Sequence, residues 1–238
     1  MAFLDLLENH VQTIRIIQQL FFLELFSLKM IFSSFHLLQL DKLLDHHSSC
    51  NTNHDFKAEN GLGAKPIVTL LPGSRKQEIE KMLPVMLSAT KHFPGYEFVI
   101  AGAPAIDVDF YNRFISEKSI KVITGKTYEL LSLSKAGIIK SGTSTLETAL
   151  FNVPQVVCYI GSPISIWLAK RLVKIKFISL VNLIMNEETV KELIQENCNE
   201  TLIINELQRL LEDETYSSKL QDKYAELKTK LGGAGASA

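Results

Sequence analysis

The sequence predicts an α/β fold, a parallel sheet with helices on both faces followed by C-terminal helices, and three observations carry that prediction. Short apolar runs recur after Lys65: IVTLL (67–71), EFVIAG (97–102), IKVIT (120–124), AGIIK (136–140) and QVVCYI (155–160). Helical patterns of roughly ten residues separate them, which is the alternation a parallel sheet requires. The region 190–231 reads as helical throughout and stops at Gly232 and Gly233.

Taken in order, the chain divides into four zones. Residues 1–45 are rich in Phe and Leu, and IIQQLFFLELFSLKMIFSSFHLLQL places apolar side chains on nearly every side of a helix. That pattern suits a helix buried against something, an interfacial membrane anchor, or a poorly ordered or altered sequence with no defined job. Residues 46–64 read as a linker with room for one short helix. Its histidines, His46 and His47, have no Cys or acid at ligand spacing, so no metal site is expected. Residues 65–231 carry the sheet and its helices. After IVTLL come a PGSR turn and the helical KQEIEKMLPVMLSATKHF. After EFVIAG comes VDFYNRFISE, after IKVIT comes TYELLSLS, after AGIIK comes STLETALF, and after QVVCYI comes ISIWLAKRLVK. Residues 232–238 form a tail expected to be flexible.

Composition excludes several classes of function. The 238 residues are 46% hydrophobic, enough for a large core. Twenty-five basic against 26 acidic residues give a net charge of −1, so no nucleic-acid partner is implied. Cys50, Cys158 and Cys198 are too few and too scattered for a disulfide framework, and a reducing compartment fits. Asp5 and Glu8 argue against a signal peptide. Arg15, Glu24 and Lys29 interrupt the most apolar stretch. A cytoplasmic protein, free or working against a membrane surface, is the expectation.

In a parallel sheet of this kind, ligands bind beyond the carboxyl ends of the strands. Three stretches belong there. In LPGSRKQE (71–78), Gly73 permits a tight strand-to-helix turn, Ser74 is a candidate helix cap and Arg75 a candidate anion ligand. In SGTSTLETALFNVPQVVCY (141–159), Ser141, Gly142 and Thr143 open a helix whose amides can hold a phosphate. Glu147 lies on the same face one turn later and suits the two hydroxyls of a ribose. In SLVNLIMNEETVKELIQ (179–195), Asn182 sits inside an apolar run, and Glu192 and Gln195 read as i,i+3 partners on one helix face. They fit either ligand contacts or an ordinary surface. Neither a Walker ending, a GxGxxG fingerprint nor a Ser-His-Asp arrangement occurs. Trp167, Lys170, Arg171, Lys174 and Lys176 mark a helix that suits a solvated face or an anionic lipid surface.

Four of these stretches, LLPGSRKQEI (70–79), SGTSTLETALFNVPQVVCY (141–159), WLAKRLVKIKFISLVNLI (167–184) and VKELIQ (190–195), together resemble the lipid-A-disaccharide synthase family. The resemblance runs from about Leu40 or Asp55 to the C-terminus in the family's order. It implies the Rossmann-like C-terminal half of a GT-B fold. It also implies an inverting transfer of 2,3-diacylglucosamine from UDP-2,3-diacylglucosamine to 2,3-diacylglucosamine 1-phosphate (lipid X), giving the β-1,6 disaccharide and UDP. The setting it implies is the cytoplasmic side of the inner membrane of a Gram-negative bacterium, with no metal or other cofactor. It assigns Gly73, Ser74, Arg75, Ser141, Gly142, Thr143, Glu147, Asn182, Glu192 and Gln195 to the UDP-sugar, with Arg75 relieving charge on the departing UDP. Residues 1–45 do not resemble the family's N-terminal domain, where its general base is expected. The resemblance therefore also allows a separate N-terminal half, a homo-oligomer, or a truncated non-catalytic nucleotide-sugar-binding module. Lys140 stands where the family's strand ends in a small or hydroxyl residue.

Overall fold

Five buried residues in a row, Ile67–Leu71, form β1 at the centre of the sheet. The computed structural model describes residues 53–117, 119–161 and 176–231. Expectations that fall on residues 1–52, 162–175 and 232–238 lie outside the described residues. These are the apolar N-terminal segment, the two histidines, Cys50, the Trp167 helix with Lys170, Arg171 and Lys174, and the tail.

The described chain opens with α1 (Asn53–Glu59), a short helix within the linker. After β1 follow α2 (Lys76–Ser88), a 3-10 turn at Thr90–His92, and β2 (Glu97–Gly102). Next come α3 (Val108–Asn112), β3 (Lys121–Thr124) and α4 (Thr127–Ser132). The centre of the sheet is completed by β4 (Ser134–Lys140), α5 (Thr143–Leu150) and β5 (Gln155–Tyr159). The last part holds α6 (Leu180–Met185), β6 (Lys191–Ile194), α7 (Glu200–Glu212) and α8 (Glu214–Lys230). All strands pair in parallel in the order β3-β2-β1-β4-β5-β6. Strands covered on both sides read as continuous apolar runs, which is why the central ones were legible.

The sixth strand corrects the helical reading of 190–231. KELI is made of good helix formers, yet it pairs with β5 from Val156↔Lys191 to Tyr159↔Ile194. Edge placement explains the composition, because only Leu193 of the four is buried. The predicted helix over 108–117 is confined to Val108–Asn112.

The C-terminal helix pair is capped as its sequence allows. The Asn199 and Asp213 side chains accept the amides of Leu202 and Tyr216 at 3.0 and 2.9 Å. The Tyr216 hydroxyl donates to the buried Glu206 carboxylate at 2.6 Å, locking α7 to α8. Tyr224 is fully buried, and the amide of Gln155 at the start of β5 donates to its hydroxyl at 3.3 Å. Among the described residues no helix is long and apolar enough to cross a membrane.

Candidate functional site

The strand order reverses direction at β1. One neighbour, β2, lies on one side, and β4, reached by a crossover, lies on the other. In parallel sheets the loops leaving two such strands diverge, and the crevice between them at the carboxyl ends is where ligands bind.

The loop after β4 is the more open of the two. Ser141 is buried. Its amide donates to the Cys158 carbonyl at 2.8 Å and its hydroxyl to the Ile178 carbonyl at 3.0 Å. Its hydroxyl proton is thus spent on the chain itself, and Ser141 works as an anchor rather than as a free donor. Gly142 follows with an extended φ of 163°, so its conformation does not demand glycine. The amides of Gly142, Thr143 and Ser144 find no acceptor among the described residues. Gly142 and Thr143 are exposed, so this helix start presents open donors and the positive end of a helix to the crevice.

Glu147 lies one turn into α5, partly buried, and accepts a hydrogen bond from the Thr143 hydroxyl. Burial pushes its carboxyl above the ordinary value, and the Thr143 bond only partly offsets this. A residue that sequence reasoning missed stands nearby. Burial first, and then the charge of Glu147, raise the Tyr128 phenol. The Tyr128 ring stacks on Phe151 at 5.5 Å and 14°. No local signal marks Tyr128, since it arrives on α4 from another part of the chain.

The loop after β1 is organised differently from expectation. Gly73 has φ +120°, and a Cβ there would lie 2.6 Å from Glu78 Oε2 and 2.9 Å from Glu78 Cβ. Ser74 does not cap α2. The cap position is Arg75, which makes no side-chain cap bond. Instead Glu78 reaches back from the third helical position, and its Oε2 accepts the Ser74 amide at 3.1 Å and its carboxylate also bonds the Arg75 amide. The amides expected to hold a phosphate here already hold a carboxylate. Burial works against the charge on Glu78, but the hydrogen bond and charge of Lys140 and the two amides outweigh it, and its carboxyl sits below the ordinary value. Arg75 is exposed, and its guanidinium meets no partner among the described residues. Gly73→Ala is expected to cost about 1–3 kcal/mol, because it combines a left-handed φ with a displaced Glu78. Urea unfolding at constant m checks this.

The third stretch is brought close to Ser141 but faces inward. Asn182 is fully buried. Its Nδ2 donates to Val190 O at 2.9 Å and Glu192 Oε1 at 2.8 Å, and its Oδ1 accepts the Thr189 and Val190 amides at 2.8 Å each. All four hydrogen-bonding capacities of the amide are used. Glu192 also accepts the amides of Ile178 and Ser179, at 3.0 and 2.9 Å. Gln195 adopts φ +54°, and its Oε1 accepts the Gly161 amide at 3.0 Å. Glu192 lies on β6 and Gln195 in the 3-10 turn after it, so they are not partners on one helix face. In this structure these three side chains tie the segments at 161 and 176–185 to the sheet.

A family model described as lipid-A-disaccharide synthetase matches residues 42–236. The chain belongs to the lipid-A-disaccharide synthetase family. Among its relatives, the lipid-A-disaccharide synthase of Coxiella burnetii is 37% identical over 171 residues, covering 70% of this chain and 45% of that protein. The synthase of Geobacter metallireducens is 33% identical over 202 residues, covering 82% of this chain and 53% of that protein. The chain spans about half the length of the curated relatives it matches. A solved structure assigned as a UDP-N-acetylglucosamine 2-epimerase from Listeria monocytogenes superimposes with a TM-score of 0.52 at 15% identity. It covers 77% of this chain and 46% of its own, and the likeness shows the fold alone.

Proposed function

We propose that this synthetase-family chain holds the donor in lipid-A disaccharide formation. The donor is UDP-2,3-diacylglucosamine, and the acceptor is 2,3-diacylglucosamine 1-phosphate. The observation that carries the reading is the start of α5. Three amides that find no acceptor among the described residues, at Gly142, Thr143 and Ser144, lie one turn from a half-buried carboxylate on Glu147. Such a site offers donors for phosphate oxygens and, a turn away, an acceptor for the two ribose hydroxyls. Arg75 adds an exposed cation beyond the end of β1. As the glycosidic bond to UDP breaks, negative charge grows on the β-phosphate, and the α5 amides with Arg75 stabilise it there. Inversion needs a base to take the proton from the acceptor hydroxyl on the opposite face of the sugar. We assign that base to sequence beyond the donor half, in the same polypeptide or in a separate one. Ser141, Asn182, Glu192 and Gln195 serve the donor by fixing the loops around it. The acyl chains of both substrates place the reaction at an anionic membrane surface on the cytoplasmic side.

A thermal-shift series tests the reading. UDP and UDP-2,3-diacylglucosamine at 100 times their dissociation constants are expected to stabilise the full chain by about 2.7 kcal/mol. ADP and GDP at the concentration used for UDP are expected to give markedly less. Equal shifts with all three diphosphates would reduce the site to a general anion site.

A further inference from the structure

Among the described residues one ion pair links the end of β4 to the start of α2. Lys140 is the last residue of β4, directly before Ser141 and Gly142, and its carbonyl accepts the Ser144 hydroxyl at 3.1 Å. Its side chain crosses the strand boundary to α2, where Nζ donates to Glu78 Oε1 at 3.0 Å. The side chains of Lys140 and Glu78 are 20% and 23% exposed, so the pair is partly shielded from water. The other oxygen of Glu78 holds the Ser74 amide, and Gly73 leaves the room that this carboxylate occupies. One carboxylate thus fixes the β1 loop, and one lysine ties it to the β4 loop. A carboxylate beside a site for a diphosphate is a liability, because it repels the ligand in a medium where screening is weak.

From this geometry we infer that Lys140 and Glu78 are a positioning pair for the donor diphosphate: Glu78 sets the β1 loop, and Lys140 cancels the charge that Glu78 would otherwise turn on the phosphates. This rests on the donor reading above. In this arrangement Lys140 acts through Glu78, to which its ammonium donates. Two features follow from the arrangement. Loss of the lysine harms a charged ligand and spares an uncharged one. Loss of the carboxylate's charge together with the lysine undoes the harm, because Gln at 78 can still accept the Ser74 amide.

The test titrates UDP and uridine into the full chain and three variants, each first checked for a cooperative melt. Lys140→Met is expected to weaken UDP about tenfold, with uridine unchanged within twofold. Lys140→Met with Glu78→Gln is expected to return UDP to within about threefold of the parent chain. Should Lys140→Met fail to fold, Glu78→Gln alone decides. UDP affinity equal to or above that of the parent supports the pair, and a clear loss overturns it. Equal losses for UDP and uridine, or a double variant as weak as Lys140→Met, would also overturn the inference while leaving the donor site standing. A folded parent chain that binds no UDP would remove the donor reading and this inference with it.

Discussion

Glu147→Gln is expected to weaken UDP binding by about 1–3 kcal/mol and, at neutral pH, to raise the stability of the ligand-free chain by up to about 1 kcal/mol. The two effects have one cause. Burial raises the Glu147 pKa, so the folded chain binds a proton there more readily than the unfolded chain does. The stability that Glu147 contributes is complete at low pH and is lost as pH rises through its raised pKa. UDP has the opposite requirement, since the ribose hydroxyls need the ionised acceptor. Affinity in the parent chain therefore falls as pH drops through that raised pKa, and the Gln variant loses this pH dependence. Calorimetric titration and thermal melts across the acidic range check both parts. A Gln variant that binds UDP as tightly as the parent removes Glu147 from the site.

Asn182→Ala is expected to destabilise the chain by about 2–4 kcal/mol, among the largest effects of any single polar change here. The variant leaves the Thr189 and Val190 amides without their acceptor, in a place where the Thr189 hydroxyl has no partner among the described residues. It also removes a donor from Glu192, which organises Ile178 and Ser179. Urea denaturation is expected to show a lower midpoint at unchanged slope. Below its midpoint, the variant's UDP affinity is expected to stay within about threefold of the parent, because Asn182 has no open valence for a ligand. A large affinity loss without a stability loss would restore a direct ligand role.

These two residues show how far the sequence can be read. Glu147 was legible because helix start and acid lie on one short segment, where spacing fixes the face they share. Asn182, Glu192 and Gln195 were legible as unusual residues, but their orientation was not. A polar side chain in an apolar run can serve a ligand or the chain's own backbone, and the choice depends on segments that fold against it later. The central strands announced themselves through unbroken apolar runs, whereas KELI at the sheet edge, with one buried residue, kept the appearance of a helix. Glu78 and Lys140 are 62 residues apart, and only the β1–β4 pairing brings them together. The trace in the sequence is a lysine closing a run that is otherwise buried.

The most direct test of the donor site is the structure of the chain with UDP bound. The expected result places the β-phosphate oxygens within hydrogen-bond distance of the Gly142, Thr143 and Ser144 amides and the ribose hydroxyls on the Glu147 carboxylate. Uridine diphosphate seated elsewhere, with Glu147 still engaged only by Thr143, would contradict it.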